Sequence, residues 1–269
     1  MESSQIRRNE SRSGRRGILS HEQTGLAVPF KIHFMCSGKP AAQLALRQLI
    51  ERYGQNDITK ASYVVAIGGD GTALKALHAM LPTAGKPVFA MRLPESVGAL
   101  GNTFRLSDLP ERMRSARSIS MRPLKAEVER VTGDIVAVFG INEIVVTRQR
   151  LQAAKLHVRT GETETSRKVT GDGLLVATPI GSTGYNRSAG GPILPLGSRL
   201  LALTKIAIHE PSDWSNTVLN DRVIVDIEVE DPTYRPVRVE TNIHEVLEIS
   251  RVKISSSYDH ALTLLLEDR

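Results

Sequence analysis

Residues 63 to 72 carry an apolar, β-branched run, Tyr63-Val64-Val65-Ala66-Ile67, straight into Gly68-Gly69-Asp70-Gly71-Thr72. A short apolar run closed by glycines predicts a buried strand of a parallel sheet. The next segment changes period: Leu74, Leu77 and Leu81 recur at helical spacing, Thr72 suits an N-cap, and Pro82 ends the pattern. The glycines therefore fall on a strand-to-helix turn. Such a turn gathers unpaired N–H groups at the positive end of a helix, and glycines let an anion come close to the chain. Asp70 does not fit that picture, because a carboxylate repels a phosphate held by the same loop. Two uses of it stay open: a helix-dipole acid in an ordinary glycine turn, or an acceptor for a hydroxyl that attacks the cradled phosphate.

The alternation of strand and helix extends to both sides. Phe30 to Cys36 reads as a first strand, and Ala41 to Tyr53 as a helix ended by Gly54. Pro87 to Met91 reads as a third strand, followed by a Pro- and Gly-containing loop and a helix from Ser107 to Ser118. This order predicts a parallel, Rossmann-like sheet with ligands beyond the carboxyl ends of its strands. After about residue 120 the texture becomes β-rich. Lys125 to Val131 and Ile135 to Val146 flank a hairpin signal at Thr132-Gly133-Asp134, and Lys155 to Arg159 pairs plausibly with Arg167 to Thr170 across Gly161. Val223 to Val229, Pro236 to Glu240, Val246 to Ile254 and Ala261 to Leu266 add further strands. The expected fold class is an α/β N-terminal domain with a parallel sheet over residues 30–120, plus an all-β, sandwich-like C-terminal domain over 121–269.

Residues 1–29 hold Arg7, Arg8, Arg12, Arg15 and Arg16 among Ser, Asn and Gly, the composition of a disordered basic tail. The net charge of +6 suits polyanionic ligands such as nucleotides, whereas 4 % aromatic residues argue against nucleic-acid binding by base stacking. The single cysteine, Cys36, excludes a disulfide framework within one chain and reads as a buried thiol. No apolar run approaches the roughly 20 residues of a membrane span, so the expectation is a cytoplasmic protein with no membrane partner. His78 reads as a helix-face residue rather than a base, and His209, His244 and His260 are too scattered for a metal site.

Two further stretches carry polar residues where a fold alone would not ask for them. Asn142-Glu143 interrupts an apolar strand, and an amide beside a carboxylate can grip a sugar diol or an adenine edge, although a bulge with solvent-facing residues uses the same pair. Gly171-Asp172-Gly173 precedes a buried run, then Pro179-Ile180-Gly181-Ser182-Thr183-Gly184-Tyr185-Asn186 and Ser188-Ala189-Gly190-Gly191-Pro192. Small and hydroxyl residues at this density bring the backbone close to a ligand.

Taken in this order, these motifs resemble those of the NAD kinase family, from about residue 30 to the C-terminus and most strongly over 171–192. The resemblance implies ATP-dependent phosphorylation of the 2′-hydroxyl on the adenosine ribose of NAD, giving NADP. It matches Asp70 to the acid that meets that hydroxyl, and Gly68, Gly69, Gly71 and Thr72 to the phosphate-facing turn. Asn142 and Glu143 match the pair holding the adenosine portion, and Asp172 an acid reaching the nicotinamide half. Thr183, Gly184, Tyr185 and Ser188 match the lining of the dinucleotide site. Mg²⁺ is implied to arrive with ATP, and a homodimer or homotetramer is implied as the assembly.

The chain departs from the family pattern at Arg92, usually Asn, at Ala99, usually Phe, at Ile180, usually small or hydroxyl-bearing, and at Gly184, usually Ala. Two other readings share these motifs. One is a diverged kinase acting on another hydroxylated or adenosine-bearing small molecule, and the other is an NAD(P)-binding protein without catalysis.

Overall fold

The computed structural model describes residues 30–82, 85–96, 98–161 and 166–268. The tail read at residues 1–29 lies outside them. The first part of the chain runs β1 (Ile32–Cys36), α1 (Pro40–Tyr53), β2 (Tyr63–Ile67), α2 (Asp70–Ala79), β3 (Val88–Arg92), β4 (Asn102–Thr103), α3 (Leu109–Ser115) and β5 (Arg117–Met121). The β-rich part follows as β6 (Leu124–Arg130), β7 (Ile135–Gly140), β8 (Glu143–Arg148), β9 (Ala154–Thr160), β10 (Arg167–Gly171) and β11 (Gly173–Ala177). A short α4 (Tyr185–Ser188) leads to β12 (Leu200–Ile206), β13 (Thr217–Asn220), β14 (Val225–Val229), β15 (Val237–Glu240), β16 (Glu245–Ser256) and β17 (Leu262–Leu266).

β1, β2 and β3 pair in parallel, as the alternation predicts. The unbroken apolar character of β2 has a simple cause, since successive side chains of a strand point to opposite faces and both faces here are covered. Val65 and Ile67 pack with Ala42, Ala45 and Leu49 of α1. Val64 and Ala66 pack with Ala73, Ala76 and Leu77 of α2. Pro40 occupies the first turn of α1, where its missing N–H costs nothing, and the N–H of Gly54 at φ 74° closes the helix on the Ile50 carbonyl at 2.8 Å.

Helix α2 begins at Asp70 with Gly69 as its cap, three residues before the cap expected at Thr72. The Thr72 N–H already reaches the Gly69 carbonyl at 2.9 Å, and its buried hydroxyl is tucked against Gly68. Asp70 is thereby placed on the first turn of the helix.

The largest difference from the sequence reading concerns the end of the chain. Ala261 to Leu266 was expected among the strands of the second half, yet β17 lies in the first sheet, parallel to β3 and antiparallel to β5 in the order β1-β2-β3-β17-β5. Burial explains it. Leu262 and Leu264 enter the core on one face and Leu265 enters the core on the other, which an outer sandwich strand does not allow. The expected helix over 107–118 stops at Ser115 for the same reason, because residues 117–121 supply the partner of β17.

The second sheet has eleven strands, all paired antiparallel, and curls around one apolar core that includes Leu124, Val146, Leu156, Val176, Ile227 and Val252. The expected hairpin at Thr132-Gly133-Asp134 joins β6 to β7, and β9 pairs with β10. The apolar stretch 135–146 is split at Ile141-Asn142 into β7 and β8. Ile141 and Ile180 from this half pack in the same cluster as Val64, Ala66 and Leu264, so the two sheets meet across a seam that is apolar there.

Candidate active site

The carboxyl ends of β1 and β2 open on a cavity of about 630 Å³. Gly69, Asp70, Gly71 and Thr72 form one wall and Ser37, Gly38 and Lys39 another, with Lys75 and Glu95 at its rim. Gly68 sits behind the turn, where an added Cβ would meet the Thr72 hydroxyl oxygen at 2.4 Å. The Asp70 carboxylate is not loose: it accepts the N–H of Ala99 at 2.9 Å and that of Leu100 at 3.0 Å. Gly98 makes this possible, since a Cβ there would lie 2.1 Å from an Asp70 oxygen. An ionised carboxylate has about four acceptor positions, so two remain for a ligand hydroxyl.

A second cavity of about 410 Å³ lies along β8, β12 and β15. Glu143, Asp172 and Tyr185 line it together with Arg148, Arg238, Glu240, Thr241 and Asn242. Among the described residues, Oε2 of Glu143 and Oδ1 of Asn142 are buried and find no hydrogen-bond partner. Burial pushes the Glu143 carboxyl up to about 7. Buried acceptors left without partners are costly, and a ligand carrying hydroxyls or amines removes that cost. Asp172 is less free, because its carboxylate accepts from the Arg148 guanidinium at 2.5 Å.

The two cavities belong to one seam. A narrow pocket of about 150 Å³ lies between them, sharing Gly71 and Lys75 with the first and Asn242 with the second. His78 lines this narrow pocket half-buried, with its ring edge-on to His244 at 6.0 Å, and desolvation holds it below its ordinary pKa. Among the described residues no three His, Cys, Asp or Glu side chains converge to hold a metal.

The Gly-Ser-Thr-Gly-Tyr-Asn stretch divides its labour. Asn186 is fully buried, donating to the Ser182 carbonyl at 3.1 Å and the Pro192 carbonyl at 2.9 Å, and accepting from the Thr204 hydroxyl at 2.6 Å. Ser182 is likewise internal, receiving the Leu194 N–H at 3.0 Å. Gly181 packs so closely that a Cβ would lie 2.0 Å from the Asn142 carbonyl oxygen. These residues fix the backbone beside Asn142 and Glu143. Tyr185 faces the second cavity, while Thr183 and Ser188 are exposed and line neither cavity.

A family model described as the ATP-NAD kinase C-terminal domain matches residues 141–265. An NAD kinase of Hyphomonas neptunium is 38 % identical over 240 residues, spanning 89 % of this chain and 93 % of the relative. An NAD kinase of Xanthomonas campestris is 41 % identical over 243 residues, spanning 90 % and 93 %. The chain belongs to the NAD kinase family. Its fold is shared with yeast NADH kinase in complex with NADH, at a TM-score of 0.76 and 16 % identity over 89 % of this chain and 84 % of that one. An NAD kinase from Archaeoglobus fulgidus in complex with ATP gives 0.67 at 19 % identity, over 87 % and 92 %.

The four departures of this NAD kinase family member have different structural meanings. Ile180 is buried in the seam core and lines a cavity of about 240 Å³ that includes neither Asp70 nor Glu143. Gly184 lies beside the pair, where an alanine methyl would stand 3.7 Å from Asn142 Nδ2 and 3.7 Å from Glu143 Oε2. The Arg92 guanidinium donates to the Gly98 carbonyl and so braces the loop that holds Asp70. Ala99 is exposed and opens on a separate cavity beside Arg92, away from Glu143.

Several lining residues were missed in the sequence. Lys75 lies four positions after Gly71 on the same face of α2, a spacing that could have revealed it. Ser37 to Lys39 leave the carboxyl end of β1, where a parallel sheet places ligands, and the Ser37 hydroxyl is buried without a partner among the described residues. Cys36, read as a buried thiol, is half-buried on the same wall. Arg238 and Asn242 had no local signal, since only the pairing of β15 with β8 brings them to Glu143.

Proposed function

We propose that this chain is an NAD kinase, transferring the γ-phosphoryl group of ATP to the 2′-hydroxyl of the adenosine ribose of NAD to give NADP. The observation that carries the reading is the Asp70 carboxylate, pinned by two loop amides at the wall of a glycine-lined cavity. The attacking hydroxyl oxygen forms a bond to the γ-phosphorus as the bond to the β-phosphate bridging oxygen breaks, and Asp70 accepts the hydroxyl proton. Positioning does most of the work in such a transfer, and a carboxylate held from two sides supplies it.

Gly69, Gly71 and Thr72 offer the backbone at the start of α2 to the phosphates, with Lys39 and Lys75 contributing positive charge. Asn142 and Glu143 take the adenosine portion through their unpaired oxygens, next to Gly184. Asp172 and Tyr185 line the space for the nicotinamide half. Mg²⁺ accompanies ATP in this reading, and the cavity fits an ion held mainly by phosphates because Asp70 and Glu95 are the carboxylates lining it. Bound there, it would neutralise charge developing on the transferred group. A homo-oligomer and a cytoplasmic location follow from the family resemblance and form part of the proposal.

The test is incubation of the purified chain with ATP, Mg²⁺ and, separately, NAD, NADH and simpler adenosine compounds, with NADP read by an NADP-specific dehydrogenase. Formation of NADP from NAD is expected. A folded preparation that binds ATP but forms no NADP would overturn the reading.

A further inference from the structure

A cavity of about 760 Å³ lies on the other side of the loop that holds Asp70, lined by Arg92, Ala99, Asn102, Arg105, Arg117 and Asp268 among others. It sits at the carboxyl ends of β3 and β17 and the start of antiparallel β5, the edge of the sheet on which ligands bind in open α/β folds. Its charges do not cancel. Glu267 is engaged by Arg112 through two contacts of 2.7 Å, and among the described residues Asp268 is the only other carboxylate of the lining. Arg105 feels Glu267 at a distance, but among the described residues neither the Arg105 nor the Arg117 side chain makes a hydrogen bond or ion pair. Three guanidiniums around one concave surface suit a ligand with several phosphate groups, since each presents a planar fork of donors to phosphate oxygens.

The geometry points to this cavity as a second anion site, taking a chain of phosphates, whose occupancy is coupled to Asp70 through residues 98–100. Arg92 donates to the Gly98 carbonyl, and the next two residues donate their N–H groups to the Asp70 carboxylate. A phosphate that draws the Arg92 guanidinium into the cavity removes the brace on Gly98. The loop then holds Asp70 less firmly, and misplacement of a positioned acid lowers turnover more than substrate binding. The two sites and the element that both touch are thus defined, as a coupling between sites requires.

The probe is inorganic tripolyphosphate, with free Mg²⁺ held fixed. Calorimetric titration is done on the full chain with a non-hydrolysable ATP analogue saturating the glycine-lined cavity. One saturable binding event is expected, weakened about 10-fold or more in the Arg105→Ala/Arg117→Ala double variant. Absence of binding, or binding unchanged in the double variant, would overturn the site. The coupling rests on the kinase reading and is tested by initial rates at saturating ATP and NAD. Tripolyphosphate should lower kcat about twofold or more in the parent and leave the double variant, whose basal rate is unchanged, unaffected. Equal inhibition of both proteins, or no inhibition of the parent, would overturn the coupling. Titration with ATP itself then distinguishes a nucleotide from a free phosphate chain as the occupant. Because the calorimetry needs no turnover, an absence of NAD kinase activity leaves the anion site separately decidable.

Discussion

Asp70 has two acceptor positions committed to the amides of Ala99 and Leu100 and two free, which sets what a substitution does. Asp70→Asn keeps the size of the side chain but offers an NH₂ group to one of the two amides and cannot accept the hydroxyl proton. Steady-state assays should show kcat lower by roughly 10² to 10⁴, with KM for NAD changed by about threefold at most. A variant with near-parental kcat would remove Asp70 from the chemistry. Glu143 makes a different prediction, one that needs no substrate. Its carboxyl is pushed up to about 7 in the folded chain from an ordinary 4.5, so the folded state binds more protons than the unfolded one between those values. Stability from this group is therefore present below about pH 4.5 and lost as pH rises through 7, a swing of about 3 kcal/mol at most. Glu143→Gln removes the swing. In urea denaturation at pH 8 the variant should be more stable than the parent by about 1–3 kcal/mol, and at pH 4.5 the two should nearly coincide. Equal pH slopes for both proteins would refute the assignment.

At the scale of elements, the loop from residue 98 to residue 100 is the counterpart of helix α2, because each supplies half of what fixes the acid. Gly98→Ala puts a methyl 2.1 Å from the Asp70 carboxylate, so the loop or the carboxylate must shift. The expected result is a fall in kcat of about 10-fold or more with a melting temperature within a few degrees of the parent, read by kinetics and thermal denaturation on one preparation. Turn chemistry of this kind was legible in the sequence because it is local: Gly68 to Thr72, the Gly54 helix stop and the hairpin at Gly133 each announce their conformation in a few residues. The position of the helix cap was not legible, since the choice between Gly69 and Thr72 depends on the Asp70 carboxylate finding partners 29 and 30 residues away. β12, with its unalternating Leu-Leu-Ala-Leu, offered no period to separate strand from helix. Glu143 and Asp172 were visible as acids in apolar surroundings, whereas Arg148, Arg238 and Asn242 join them only through strand pairing.

For the whole molecule, the boundary drawn near residue 120 separates the textures of the sequence, but the first sheet takes β17 from the opposite end of the chain. A fragment of residues 30–120 therefore lacks the strand between β3 and β5, and it exposes the apolar faces that Leu262, Leu264 and Leu265 cover. Such a fragment should show no cooperative thermal transition, and adding a synthetic peptide spanning residues 257–268 should restore one only in part. A sharp transition in the fragment alone would show that the α/β half is independent. The placement of β17 also orders events in time. Residues 262–266 follow all the other strands in the sequence, so during synthesis the Val88 end of β3 waits without its β17 partner while the β-rich half emerges. The turn at Gly68 to Thr72 can thus be seated in a finished sheet only after the whole β-rich half has been made, and a message cut before residue 262 would yield a chain with its β-rich half complete and its α/β half open.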